Sequence, residues 1–79
     1  MTSLIEEFVV QKLLDGREVE TNENLLLSGL VDSLGVMRLV RFLEETFDVS
    51  VPPEDVNIKH FMTISAIEAY IAGRRANVQ

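Results

Sequence analysis

Apolar residues recur at helical spacing near the start of the chain. They are Leu4, Ile5, Phe8, Val9, Leu13 and Leu14. Steps of three and four residues are typical of an amphipathic helix with one buried face. Ser3 and Glu6 have the spacing of a capping box, and Asp15-Gly16 supplies a stop signal. We therefore predict a first helix over residues 3–15.

The periodicity is lost from Gly16 to Asp32, which predicts a long loop. The loop is punctuated by Gly, Asn and Ser, but it also contains five large aliphatic residues. These are Leu25, Leu26, Leu27, Leu30 and Val31. A structureless segment of this length is unusual unless it packs or has a function. We expect it to lie across the helices and plug the core.

A second helical pattern begins at Asp32-Ser33, where Asp32 is a good N-cap. The predicted apolar face consists of Leu34, Val36, Val40, Leu43 and Phe47, widened by Leu39. The helix is expected to end near Asp48, because β-branched residues and then Pro52-Pro53 follow.

Two further helices complete the predicted fold. A short one is expected near residues 53–61, and a last one is capped by Thr63 and broken at Gly73. Arg74 and Arg75 suit the C-terminal end of that helix. The predicted fold class is therefore all-α. It is a small four-helix bundle with three long helices, one short helix and a long loop between the first two helices. We expect residues 1–79 to form a single domain and a monomer.

Composition narrows the possible functions. The chain has 79 residues, no Cys and one His, which predicts neither a disulfide nor a metal site. The first residues carry two acids and lack a basic start, so we predict no signal peptide and a cytoplasmic location. No apolar run reaches the roughly 20 residues of a membrane span.

The net charge of the chain also narrows the classes of partner. The formal net charge of −6 argues against binding to nucleic acid or to anionic membrane surfaces. It is compatible with partners that have basic docking faces, or with acidity that only keeps a small domain in solution.

The strongest local feature is the stretch from Gly29 to Leu34. It places Ser33 at a helix start after a loop, where it is exposed and where an attached anion is favoured. The alternative is that Ser33 is only a helix-start residue beside the cap Asp32. A catalytic triad would need His60 within reach of both, and no glycine-rich phosphate loop is present, so we predict no enzyme activity.

From Ser28 to Ile71, more than half of its length, the chain resembles the acyl carrier protein family. The resemblance rests on Asp32-Ser33-Leu34, Leu39-Val40, Leu43–Phe47, Asp48–Val56, Phe61–Ile64 and Ile67–Ile71, in register. It implies that Ser33, flanked by Asp32 and Leu34, carries a 4'-phosphopantetheine arm moved from coenzyme A by a separate phosphopantetheinyl transferase. The arm would hold cargo as a thioester for acyl-activating enzymes, acyl-transfer enzymes or synthase components.

The resemblance also implies a possible cargo pocket inside the bundle. Its expected lining is Leu34, Met37, Val40, Phe61 and Ile64. The alternative is that these residues form an ordinary core. Met37 lies next to the arm and is expected to be partly exposed, in contact with the arm or with a partner.

The second helix departs from the acidic pattern of fatty-acid carriers. Gly35 and Arg38 stand where acids are common in the family, and Arg41 is a further cation. Met37, Arg38 and Arg41 are therefore the predicted docking residues, although both arginines have an alternative role in pairing with nearby acids such as Glu45. Docking through cations would indicate a polyketide or other specialised pathway rather than general fatty-acid synthesis. Aminoacyl or peptidyl carriers and an unmodified helical interaction module remain alternatives, and a DNA-binding three-helix domain is disfavoured by the acidity.

Overall fold

The computed structural model describes the backbone of residues 3–76 and the side chains of residues 3–75. Within that range the fold is helical and has no strand. The predicted all-α class is confirmed, with three long helices, one short helix and a long first loop. The predicted domain limits of 1 and 79 lie outside the described residues.

The first helix changes type halfway along its length. Helix α1 spans Leu4–Phe8, and a π-helical segment continues over Val9–Leu13. The Ser3 hydroxyl accepts a hydrogen bond from the Glu6 N–H at 3.0 Å, which confirms the predicted N-cap. The chain turns away after Leu14, where Asp15 and Gly16 both have positive φ angles.

The π-helical segment shifts the buried face of this first helix. A π turn holds more residues than an α turn, because its hydrogen bonds span five residues. The Leu14 N–H accordingly donates to the Val9 carbonyl at 3.0 Å. Val10 is buried as a result, whereas Leu4, which the spacing assigned to the core, is 56% exposed.

The first loop crosses the bundle, as predicted. Leu25 is 1% exposed, and its N–H donates to the Met62 carbonyl at 2.7 Å. The Ser65 N–H donates to the Thr21 carbonyl at 2.9 Å, which ties the loop to the start of the last helix. Leu27 is the exception, because its side chain is 78% exposed.

Helix α2 spans Ser33–Phe47 and is capped by Asp32, as predicted. Its buried row consists of Gly35, Leu39 and Leu43, which follow one another at four-residue steps. The predicted face was wrong at Leu34, which is 67% exposed. Each residue turns the helix by about 100°, so the neighbour of a buried Gly35 points away from the core. Phe47 is half-buried rather than fully buried.

The remaining helices are short α3 over Ile58–Phe61 and α4 over Ile64–Ala76, preceded by a single 3₁₀ turn at Pro53–Asp55. The Thr63 hydroxyl accepts a hydrogen bond from the Ala66 N–H at 2.9 Å and caps α4, as predicted. The prediction that Gly73 ends the helix was wrong, because α4 continues to Ala76. A mid-helix glycine costs only about 1 kcal/mol, which a packed helix tolerates.

The core lies where the four helices and the first loop meet. Its most deeply buried side chains are Val9, Leu25, Leu39, Leu43, Phe61, Ile64 and Ile67. None of the helices in the described part of the chain has the length and apolarity that a bilayer crossing requires.

Candidate functional site

Ser33 is the first residue of α2 and is exposed. The capping role is taken by its neighbour, because Asp32 Oδ1 accepts a hydrogen bond from the Gly35 N–H at 2.9 Å. The Ser33 hydroxyl is thus not needed to cap the helix. It also lies at the positive end of a 15-residue helix, where a negatively charged substituent is favoured.

The loop that delivers Ser33 is held by backbone hydrogen bonds and by a close packing contact. The Val31 N–H donates to the Leu25 carbonyl at 3.0 Å, and Gly29 turns the chain with a φ of 80°. Val31 then packs directly against Gly35. A Cβ at Gly35 would lie 2.9 Å from Val31 Cγ1, so only glycine allows this approach without displacement.

An apolar cleft of about 590 Å³ opens beside Ser33. One wall comes from the first loop through Leu26 and Val31, and another from α2 through Val36 and Met37. The third wall is formed by Val56, Asn57, Ile58 and Phe61, and Gly29, Asp32 and Ser33 complete the lining. A group attached to Ser33 would therefore have mostly aliphatic surface within immediate reach.

The structure brings only part of the sequence-predicted pocket to this cleft. Met37 and Phe61 line it, whereas Leu34, Val40 and Ile64 do not. Leu34 lines a separate, adjoining groove, and Ile64 is fully buried in the core. Val40 is half-buried and packs against the core, two turns beyond Ser33.

Several cleft residues were missed in the sequence reading. Val36 follows Ser33 by three residues, so helical spacing alone puts it on the Ser33 side of α2, beside the predicted Met37. Leu26, Val56 and Ile58 offer no such local signal. They come close to α2 only because the first loop and the segment that leads into α3 pack beside it.

The far wall of the cleft is fixed to α4 by a polar cluster. The Tyr70 hydroxyl donates to Asp55 Oδ2 at 2.6 Å, and Arg74 Nη1 lies 3.9 Å from the same carboxylate oxygen. Arg74 also donates to the Ser50 carbonyl at 2.7 Å. Partial burial, together with the hydrogen bond to Asp55, raises the pKa of Tyr70 to about 12.

A smaller groove of about 270 Å³ adjoins the cleft and includes Leu34 and Arg38. The other predicted docking cation, Arg41, lies one turn further along. Its Nε is 3.2 Å from Glu45 Oε2, so the alternative role in an i,i+4 ion pair is realised for Arg41.

The protein is a helical bundle in which an exposed serine, not needed as a cap, begins a helix beside an apolar cleft. These features define a candidate carrier of a covalently attached group. Residues 5–71 match the family described as "Phosphopantetheine attachment site", and this range contains Ser33. The chain is also 36% identical over 73 residues to an acyl carrier protein of Syntrophobacter fumaroxidans, covering 91% of this chain and 88% of that protein.

The chain therefore belongs to the acyl carrier protein family of phosphopantetheine-binding proteins. Its cofactor is covalently attached 4'-phosphopantetheine. The residues around the start of α2 fit this group, because an exposed hydroxyl, a helix N-terminus and an apolar cleft adjoin one another.

Proposed function

We propose that Ser33 carries the 4'-phosphopantetheine arm and that the protein presents acyl groups to partner enzymes. The observation that carries this proposal is the position of Ser33, exposed at the first residue of α2 and at the edge of the apolar cleft. When bound, the arm supplies a terminal thiol that holds the cargo as a thioester.

Three neighbouring residues have separate roles in the proposal. Ser33 contributes the hydroxyl oxygen that bonds to phosphorus, while the pyrophosphate linkage of coenzyme A breaks and adenosine 3',5'-bisphosphate leaves. Asp32 keeps the helix start rigid through its bond to Gly35. Leu34 is 67% exposed beside Ser33 and is available to the approaching enzyme.

The chain itself supplies no catalysis in this account. The single imidazole, His60, packs against Tyr70 with the ring planes tilted by 35° and the centroids 4.6 Å apart, and its Nδ1 lies 3.0 Å from the Asp55 carbonyl oxygen. These contacts give His60 a structural role in packing against Tyr70 and the segment around Asp55. A phosphopantetheinyl transferase would supply the base that takes the Ser33 proton.

We further propose that the partners are acyl-activating enzymes, acyl-transfer enzymes and synthase components of fatty-acid, polyketide or other specialised biosynthesis. The carrier would act as a monomer that visits each in turn. Tethering raises the effective concentration of the cargo at whichever active site the carrier reaches. The cleft lined by Met37 and Phe61 offers apolar surface to the cargo between visits.

The carrier role can be tested by the chemistry of the attached group. The protein is incubated with a broad-specificity transferase and acetyl-coenzyme A, and its intact mass is measured before and after neutral hydroxylamine. We expect the mass of one acetylated arm, of which hydroxylamine removes only the acetyl group. Protein loaded from free coenzyme A is the control and should not change. An acetyl group that resists hydroxylamine would contradict a thioester carrier.

A further inference from the structure

The exposed side of α2 around Ser33 combines apolar and cationic side chains. Leu34 is 67% exposed and Met37 is 68% exposed, although both are large hydrophobic residues. Arg38 is exposed one turn after Leu34 and lies in the same surface groove. Leu34, Met37 and Arg38 are called the docking face below.

The acids near this face are already engaged within the chain. Asp32 caps α2 through the Gly35 N–H, and Glu44 accepts a hydrogen bond from the Val51 N–H at 2.9 Å. Glu45 pairs with Arg41 at 3.2 Å. Arg38 has no ion pair among the residues that the structure describes, so its guanidinium is available to a partner, although the Asp32 carboxylate lines the same groove.

Other acids cluster away from this face. Glu6, Glu7 and Glu18 line one groove on the side of the first helix, together with Val10 and Val19. Arg38 thus places a positive charge on the docking face of a molecule whose net charge is −6. A partner that recognised only the overall acidity would meet Arg38 on this face.

We infer that the enzyme receiving cargo from this carrier docks through a surface that bears carboxylates around an apolar recess. The inference rests on the proposed function and specifies the partner of the same site. Leu34 and Met37 fit the recess, because exposed large apolar residues gain most from being covered. Arg38 selects the sign of the partner's charge, since complementary charges steer association and like charges reject wrong partners.

Arg38 rather than Arg41 is the residue that determines this choice. Arg41 stands one turn farther from Ser33, and its field is offset by Glu45. Helical spacing agrees with this distinction, because Glu44 and Glu45 follow Arg41 by three and four residues, whereas no acid lies three or four residues from Arg38. The side-chain geometry shows the same difference.

The test compares two forms of one enzyme. The first is a fatty-acid ketosynthase whose docking face carries Lys and Arg, and the second has those residues changed to Glu. Each form is normalised by its activity on a small acyl-pantetheine. Acylated wild-type carrier, Arg38→Glu and Arg38→Gln are compared by kcat/KM at low salt. Arg75→Glu is the matched control, because Arg75 lies over Phe47, the last residue of α2 and about 21 Å along the helix from Ser33.

The wild-type carrier should favour the acidic-faced enzyme. Arg38→Glu should lower use by that enzyme about tenfold and raise use by the basic-faced enzyme by a similar factor, with Arg38→Gln intermediate. Arg75→Glu should leave both within about twofold, as surface charges far from a contact are screened. All differences should shrink at about 1 M salt, where the Debye length is about 3 Å.

Two results would overturn the inference. One is a wild-type carrier that favours the basic-faced enzyme, and the other is an Arg38→Glu variant that behaves like Arg75→Glu. Failure of the underlying proposal is seen separately and earlier, because a carrier without an arm gains no mass at the loading step.

Discussion

Gly35 determines how closely the first loop can approach α2. Its hydrogen atoms leave room for Val31, whose Cγ1 would lie 2.9 Å from an added Cβ, with Asp32 Oδ1 at 3.4 Å. Val31 is 6% exposed and β-branched, so it has little freedom to move aside. The position of Ser33 thus depends on a residue two places later that has no side chain.

Gly35→Ala should lower the stability of the protein. Overpacking against Val31 is expected to cost about 1–3 kcal/mol, which exceeds the helix-propensity gain of about 1 kcal/mol. The free energy of unfolding is measured by urea titration.

Gly73→Ala is the matched control for that measurement. Gly73 also lies inside a helix, but nothing is within 4 Å of its would-be Cβ. This substitution should stabilise the protein by about 0.4–1 kcal/mol. If both variants were stabilised, the close contact between Val31 and α2 would be wrong.

At the scale of one element, α2 has two different apolar surfaces. Leu39 and Leu43 are at most 1% exposed and hold the helix against the core. Leu34 and Met37 face solvent around Ser33. Both sets are hydrophobic, so composition alone does not distinguish a residue that stabilises the fold from one that is available to a partner.

Leu43→Ala and Leu34→Ala make the same chemical change on these two surfaces. Leu43→Ala should cost about 2–5 kcal/mol, because it opens a cavity in the core. Leu34→Ala should change stability by no more than about 0.5 kcal/mol. Thermal or urea unfolding followed by circular dichroism measures both. Similar losses for the two variants would mean that the face of α2 is assigned wrongly.

The segment between α2 and α3 is held in place by Tyr70 and Arg74 of α4. The Tyr70 hydroxyl donates to Asp55, which lies next to the Val56 that lines the cleft. Arg74 reaches both Asp55 and the Ser50 carbonyl. The cleft therefore depends on contacts outside its own lining.

Tyr70→Phe should destabilise the protein near neutral pH, and the difference from wild type should depend on pH. The folded-state pKa of Tyr70 is raised from 10.0 to about 12, so its contribution is complete below pH 10. As the pH rises, the unfolded chain loses the Tyr70 proton first, and the contribution is lost by about pH 12. The stability advantage of wild type over Tyr70→Phe should accordingly shrink between pH 10 and 12. Urea titrations of both proteins across this range measure it, and a constant advantage would contradict the hydrogen bond to Asp55.

Local sequence signals were sufficient to predict the starts of the three long helices, whereas the short α3 begins at Ile58 rather than near residue 53. Ser3, Asp32 and Thr63 each accept a hydrogen bond from an N–H three residues later, so the cap and its partner lie in the same short stretch. The ends of the helices and their buried faces were harder to predict from the sequence. Gly73 is a typical helix-ending residue, but α4 continues past it because the helix is packed against the core. The apolar spacing does not predict the π turn after Phe8.

The candidate site was predictable at Ser33 and less so around it. Its motif and helix start are contiguous in sequence, whereas Leu26 and Ile58 join the cleft from segments 32 residues apart. Leu34 was assigned to the core because an exposed leucine in an amphipathic pattern is indistinguishable from a buried one. That assignment failed at a residue next to the proposed attachment point, where the proposed docking face needs an exposed side chain.

At the scale of the whole molecule, an acidic groove and the proposed attachment site lie on separate surfaces that share no lining residue. The groove bearing Glu6, Glu7 and Glu18 adjoins the first helix, whereas Ser33 opens toward the cleft and the docking face on α2. The core that joins these sides is apolar, and no buried polar side-chain atom lacks a hydrogen bond among the described residues. The bundle therefore acts as a stable support for the exposed Ser33 hydroxyl.

The most direct test of the account is the site of attachment. Wild type, Ser33→Ala and Ser28→Ala are incubated with a broad-specificity phosphopantetheinyl transferase and coenzyme A, and their intact masses are recorded. Ser28 is the matched control, because it is an exposed serine on the loop five residues before Ser33. Wild type and Ser28→Ala should each gain one phosphopantetheine group, whereas Ser33→Ala should keep its helical circular dichroism and gain none. A Ser33→Ala protein that is still modified, or a wild type that never is, would contradict the assignment of Ser33 as the carrier residue.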